Sequence, residues 1–412
     1  MCQRDSTAQR PRQALEVADI FHAYGDVYRA THPLTGQQLR VMHAIEQCRT
    51  AALGGHLLQC DHCGAYEARY HSCRNRHCPK CQPLAKARWV EARLADLLPI
   101  PYFHCVLTLP HTLNPLAQGN PRVLYALLFQ AAWDTLHTFG RDPRWLGGDL
   151  GATIVLHTWG QNLDQHLHVH CLVTGGALAP EEDRWIPTPR QQFLFPVRAL
   201  SRVFRGKYLD GLHAAFTQGQ LHFAAGTAAL EEPTTFVQWL DTLWRQEWVV
   251  YAKPPFAGPQ QVVAYLGRYT HRIAISQERL VALEDGSVHF RWRDYRQGNA
   301  VKVMALPAAE FIRRFLLHVL PRGFQRLRHY GLLGNRCRAQ TLPACRRVLH
   351  LVPPPLRPLE TTTALMQRLT GTDIRQCPQC HQGHLQVIAP LYPWRPLWAQ
   401  PLTTGPPDVR PL

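Results

Sequence analysis

A chain of 412 residues, 46% of them hydrophobic, is long enough for two or three cores and too apolar to be disordered throughout. Its 45 Lys and Arg outweigh 29 Asp and Glu, for a net charge of +16, and the arginine-rich balance points to phosphate and hence to nucleic acid. No run of eighteen apolar residues occurs and the N-terminal MCQRDSTAQRPRQ lacks a signal-peptide core, so neither a membrane span nor a membrane partner is expected. A reducing, cytoplasmic setting follows, in which thirteen cysteines are better explained by metal than by disulfides.

In chain order, Ile20, Phe21, Tyr24, Val27 and Tyr28 recur every three or four positions and predict a helix. Leu39, Val41, Met42, Ile45 and Cys48 predict a second, stopped by Gly54-Gly55. The pairs Cys60-x-x-Cys63 and Cys78-x-x-Cys81, fourteen residues apart, then predict one tetrahedral Zn²⁺ site of zinc-ribbon type. Cys73 and His77 lie between the pairs, so a second zinc or an exchanged ligand set stays open. Arg74 and Arg76 make the module basic and are candidate DNA contacts.

Residues 84–98 form an amphipathic helix that stops before Pro99 and Pro101, and a domain boundary is placed there. A strand over 103–109, a helix over 121–139 and a strand over 152–158 follow. The next stretch, HLHVHCLVTGG (166–176), reads as the antiparallel neighbour of that strand. Side chains at i and i+2 of a strand share a face, so His168 and His170 project together as a platform for a divalent metal. His157, Gln161 and His166 lie around the turn and are candidates for a third ligand.

Helices are predicted over 197–218 and 234–246, a strand over 248–252, and a short helix over 259–269. On that helix Tyr265 and Tyr269 are four residues apart, so their hydroxyls share a face, with Arg268 and Arg272 beside them. Strands over 270–276, 280–284, 287–294 and 299–305 suggest a meander with a turn at Asp285-Gly286, and a helix over 308–319 follows. Residues 323–338 are basic. Cys377-x-x-Cys380 is read as half of a further zinc site, and the tail beyond Ile388 shows little pattern.

Tyrosine can attack a phosphodiester and conserve its bond energy in a phosphotyrosine link. A divalent cation held by two histidines can polarise the phosphate and stabilise the leaving 3′ oxygen. Two tyrosines allow two successive transfers, and basic surroundings suit a single strand.

Together the stretches SCRNRHCPKCQ (72–82), LTLP (107–110), HLHVHCLVTGG (166–176), YLGRYTHRIAIS (265–276) and RHYGLLGN (328–335) resemble the two-tyrosine HUH transposases of rolling-circle insertion sequences, the IS-ninety-one family. The resemblance runs from about residue 40 to 340. It implies an α+β fold: an HUH endonuclease domain, with an antiparallel five-stranded sheet and flanking helices, preceded by a helical and zinc-ribbon domain. It further implies Mg²⁺ or Mn²⁺ on His168 and His170, Tyr265 and Tyr269 as nucleophiles, and structural Zn²⁺ on Cys60, Cys63, Cys78 and Cys81. The resemblance also implies a third protein ligand, which stays open among Gln161, His157, His166 and His271, in descending order of preference.

The expected division is 1–98 (helical and zinc-binding), 99–340 (nuclease and transposase) and 341–412 (tail with a possible zinc knuckle). The expected activity is nicking and transfer of single-stranded DNA at element ends and target in the bacterial nucleoid. The chain has no G-x-x-x-x-G-K-[ST] string, so unwinding falls to host helicase or replication proteins. A plasmid-type replication initiator or relaxase is the nearest alternative, and a zinc-dependent DNA-binding protein without catalysis is the alternative of a different class. A transposase built on three spaced carboxylates is disfavoured by the low acidic content.

Overall fold

The computed structural model describes residues 14–94, 96–190, 192–253, 261–262, 267, 274–294, 297–352 and 360–393. Tyr265, Tyr269, Arg268, His271 and Arg272 lie outside the described residues.

The described helices are α1 (Val17–Thr31), α2 (Gly36–Glu46), α3 (Gln82–Leu94), α4 (Asn114–Gly119), α5 (Pro121–Arg141), α6 (Val197–Thr217), α7 (Pro233–Arg245), α8 (Ala308–Leu317), α9 (Arg338–Val348) and α10 (Thr362–Thr370). The strands begin with β1 (Gly55–Cys60), β2 (Tyr66–Tyr70), β3 (Tyr102–Thr108), β4 (Gly151–Trp159), β5 (Gln165–Thr174), β6 (Gly176–Leu178) and β7 (Trp185–Pro187). They continue with β8 (Val250–Lys253), β9 (Leu280–Glu284), β10 (Ser287–Asp294), β11 (Ala300–Pro307), β12 (Leu327–Gly331) and β13 (Leu385–Leu391). The fold is thus mixed α and β with antiparallel sheets.

The chain divides into two compact units. A sheet unit takes Met1–Leu39 with Gln82–Leu356, and a cysteine unit takes Arg40–Cys81 with Arg357–Leu412. The cysteine unit is discontinuous because β13, from the far end of the chain, pairs antiparallel with β1.

In the sheet unit five strands run in the order β12-β4-β5-β3-β8, each antiparallel to its neighbours. One face is apolar. Phe103, Cys105 and Leu107 of β3, Ile154 and Leu156 of β4, and Val169, Cys171 and Val173 of β5 pack with α5 and α6 in one buried cluster. α5 begins at Pro121, which needs no amide partner there, and buries Leu124, Leu128, Ala132, Leu136 and Phe139 at helical spacing. α6 does the same with Leu200, Phe204, Tyr208 and Leu212. Each large side chain buried fully in this layer contributes about 1.5–3 kcal/mol, which makes the sheet a stiff support for its other face.

A second sheet, β11-β10-β9, carries α8, whose Phe315 meets Phe21 of α1 edge-on at 5.4 Å. The turn between β9 and β10 places both Asp285 (φ 47°) and Gly286 (φ 75°) in the left-handed region, as a two-residue Asp-Gly hairpin requires. The expected strand over 270–276 is not seen in its described part, 274–276. Conversely β12, an edge strand of the main sheet, lies in the segment read only as basic. Arg328 stacks on Phe129 there, its charge 4.4 Å from the ring centre, so a cationic residue still packs on the core.

Candidate metal centres

Residues paired across an antiparallel ladder share a face. His168 pairs with His157 of β4 and Thr108 of β3, and His170 pairs with Val155 and Val106. The face opposite the α5–α6 core therefore carries His157, His168 and His170 side by side, all three buried. A donor nitrogen from each lies within 4.8 Å of the others.

The ring orientations are set by neighbours. His168 donates from Nδ1 to the His166 carbonyl at 2.9 Å, which leaves Nε2 as a lone pair. His170 Nδ1 lies 2.8 Å from Nε2 of His104, a β3 residue that also faces this side. Nε2 of His168 and Nε2 of His170 are 3.1 Å apart. Two nitrogens about 2.1 Å from one ion and at right angles around it stand roughly 3.0 Å apart, so the spacing fits adjacent ligands of a single cation. Burial holds His168 down to about 3, with His166 adding to it, and burial takes His104 to about 4. These imidazoles are neutral at physiological pH, as a ligand must be. Such a partner on the far nitrogen is the usual means of aiming a metal-bound histidine.

The hairpin that presents the site is pinned from α8 and its surroundings. Arg314 donates to the Asn162 carbonyl at 3.0 Å and meets Asp164 at 2.6 Å. His318 bridges Thr158 (3.1 Å) and the Leu163 carbonyl (2.9 Å). Leu163 itself is held at φ 65°, a costly conformation for a branched residue that these contacts maintain.

For the third ligand, the structure brings His157 to the pair. Gln161, the first choice from sequence, sits in the turn, where its carbonyl accepts from Arg279. His166 supplies a backbone acceptor to His168, with its own ring 4.8 Å away.

Farther along the same face, past Leu172, a cleft is lined by Trp89, Arg93, Thr153, His329 and Arg338 among others. Arg93 and Arg338 each meet Asp96 at 3.1 Å, while the Arg93 Nε is buried without a hydrogen-bond partner. Val262, three residues before Tyr265, is buried in the apolar cluster that contains Leu172. Gly267, between the two tyrosines, lies against α3, where an added methyl would come within 2.5 Å of Val90.

In the cysteine unit the four cysteines expected to share one zinc do not come together. Cys78 and Cys81 join Cys48 and Cys73, while Cys60 and Cys63 join Cys377 and Cys380. Cys48 had read as one more apolar position of α2, and only its place among the other thiols reveals it. In this first cluster Cys81 is 3.6 Å from Cys48 and 3.7 Å from Cys73, where thiolates about 2.3 Å from a tetrahedral zinc stand roughly 3.8 Å apart. His77 is not in this group, and its Nδ1 lies 3.2 Å from Asn75 Oδ1. Arg74 is exposed at φ 53° and Arg76 is half-buried.

Residues 20–109 match the family described as "Transposase zinc-binding domain", a range holding the Cys48 cluster together with Cys60 and Cys63. Residues 151–341 match the family described as "Putative transposase", a range holding the three histidines. A protein of Sinorhizobium fredii (strain NBRC 101917 / NGR234) named "Putative transposase y4qJ" is 53% identical over 383 residues, 92% of this chain and 96% of the relative. The chain belongs to the IS-ninety-one family of transposases. The transposase for insertion sequence element IS801 of Pseudomonas savastanoi pv. phaseolicola is 28% identical over 336 residues, 81% of this chain and 79% of that one. No solved structure matches the chain significantly. This transposase acts on DNA and carries a zinc-binding domain, and among its described residues no helix is long and apolar enough to cross a membrane.

Proposed function

We propose that this transposase is an HUH-type nuclease that moves its element as single-stranded DNA by rolling-circle transposition through tyrosine transesterification. The observation that carries the reading is the trio His157, His168 and His170 on one sheet face, with the Nε2 atoms of the motif pair 3.1 Å apart. The packing of Val262 and Gly267, which flank Tyr265 in sequence, supports it: Val262 joins the apolar cluster of that face and Gly267 lies against α3.

The oxygen of Tyr265 or Tyr269 attacks the scissile phosphorus, and the bond to the 3′ oxygen breaks. The phenolic proton passes through solvent to the leaving oxygen, giving a 5′-phosphotyrosine and a free 3′ hydroxyl. When bound by the three histidines, a divalent cation supplies charge stabilisation on the phosphate and the departing oxygen. An all-imidazole donor set suits Mn²⁺ or another transition ion better than Mg²⁺, which favours oxygen ligands. His104 keeps the His170 ring in register, and Arg93 and Arg338 hold neighbouring phosphates in the cleft beyond Leu172. Arg268 and Arg272 steady the strand beside the nucleophiles, while Arg74 and Arg76 contact it from the zinc module. The second tyrosine cleaves the other end or the target, and the free hydroxyl resolves the link by the reverse reaction. Unwinding comes from host helicase or replication proteins in the bacterial cytoplasm.

The test is incubation with labelled single-stranded DNA from the element ends and Mn²⁺, followed by denaturing electrophoresis. A protein–DNA band is expected that requires metal and disappears in the Tyr265→Phe/Tyr269→Phe double variant. A band that survives the double variant sinks the proposal.

A further inference from the structure

We infer that this protein carries a second structural zinc, held by Cys60 and Cys63 near the start of the chain and by Cys377 and Cys380 near its end. Neither matched family range contains Cys377 or Cys380, and the site is independent of the strand chemistry proposed above.

The thiol geometry is that of a closed tetrahedral site. Cys60 and Cys380 are 3.7 Å apart, as are Cys63 and Cys377, and all four sulfurs lie within 4.8 Å of one another. These spacings match the roughly 3.8 Å edge of a tetrahedron of thiolates about 2.3 Å from zinc. All four cysteines are free thiols. Four thiolates packed this closely repel one another, and a divalent cation at their centre removes the repulsion.

The backbone is arranged for thiolates. The amides of His62 and Cys63 donate to Cys60 Sγ at 3.4 and 3.5 Å, and the amide of Gly383 donates to Cys380 Sγ at 3.4 Å. Each knuckle thus points its amides at its own first or second sulfur, the arrangement of a Cys-x-x-Cys turn around an ion. Gly64 closes the first knuckle at φ 72°, and His381 occupies the left-handed region at φ 54° after the second.

The two knuckles are also built to face each other. Asp61 donates its amide to the His384 carbonyl at 3.0 Å, and His384 returns its amide to the Asp61 carboxylate at 2.7 Å. A methyl on Gly383 would come within 2.5 Å of Cys60 Sγ and of the His62 Cβ, so only glycine admits the approach. The pairing of β1 with β13 ends at Cys60 opposite Leu385, which delivers both knuckles to the same end of the sheet. Among the described residues the buried apolar cluster around them is Leu58, Cys60, Cys377 and Leu385, with Cys380 packed against it. Such a small cluster does not hold two segments more than 300 residues apart without a metal.

The experiment counts metal in the full chain purified under reducing conditions, by elemental analysis after removal of loosely bound ions. The intact chain is expected to hold two zinc ions, and Cys377→Ser/Cys380→Ser one. Cys380→His, which restores a ligand to the otherwise intact site, is expected to return the count to two. A count of one in the intact chain, or of two in the double variant, overturns the inference, as does iron in place of zinc. Should the double variant precipitate, cobalt loading of the intact chain decides. Charge-transfer absorbance of eight thiolates per chain is expected, and absorbance of only four refutes the site. In denaturant with chelator all thirteen cysteines are expected to react as free thiols, and a shortfall of four would make the cluster a pair of disulfides instead.

Discussion

The histidine centre and the cysteine unit both gather side chains that could hold a metal, yet they rest on opposite physical supports. His157, His168 and His170 stand on adjacent strands whose other face is locked into a large apolar core, so their spacing is decided before any ion arrives. The grouped cysteines stand on turns and short strands with few buried apolar residues among those described, so a bound ion would supply much of the cohesion there. A metal that does chemistry needs a scaffold that survives its exchange. A metal that builds structure can itself be the scaffold.

The largest effect expected from this contrast is on activity without loss of fold. His168→Ala should lower formation of the covalent DNA adduct by about a thousandfold, the scale of losing a principal stabiliser of transition-state charge. Its thermal melting should stay close to that of the parent. A variant that instead unfolds would break the contrast, because the histidines would then be structural.

Next in size is removal of the zinc. Stripping the cysteine unit with a strong chelator should raise amide exchange in β1, β2 and β13 by about a hundredfold or more, as local opening loses its metal. The amides of β4 and β5 should keep their protection. Uniform loss of protection across both regions would show that the core of the sheet also depends on thiolate-bound metal.

A smaller effect should follow at His104. Its replacement by Phe keeps a ring in the space but frees His170 Nδ1, and the Mn²⁺ concentration needed for half-maximal nicking should rise about 10–100-fold. Unchanged metal dependence would leave His104 a packing residue. The smallest effect concerns ion choice: Mn²⁺ should reach half-maximal nicking at a concentration about tenfold below that of Mg²⁺, given three imidazole donors. Equal potency would argue that water and phosphate oxygens dominate the coordination.

Much of the sheet unit was legible in the sequence. Strands over 103–109 and 152–158 and helices over 121–139, 197–218 and 234–246 appear within a few residues of their predicted bounds, because their apolar periods are long and uninterrupted. β12 was not legible: Leu-Arg-His-Tyr-Gly has no alternating apolar pattern, and it becomes a strand by adding to the edge of β4. β13 escaped for a similar reason, since Val387 and Ile388 are exposed and only pairing with β1 orders them as a strand. His104 gave no signal at all, being one polar residue in a buried run.

What the chain dictates by itself is local. The two-residue period of a strand puts His168 and His170 on one face, and two-residue gaps in Cys-x-x-Cys let both thiolates reach one ion. Choosing partners across long stretches of chain is a different matter. His157 rather than Gln161 joins the pair because the β4–β5 register sets it directly opposite His168. Cys60 and Cys63 take Cys377 and Cys380 as neighbours, more than 300 residues away, because β13 pairs with β1 and brings them there. Spacing along the sequence limits which ligands sit side by side within a few residues, whereas packing alone selects among distant segments with equally suitable spacing.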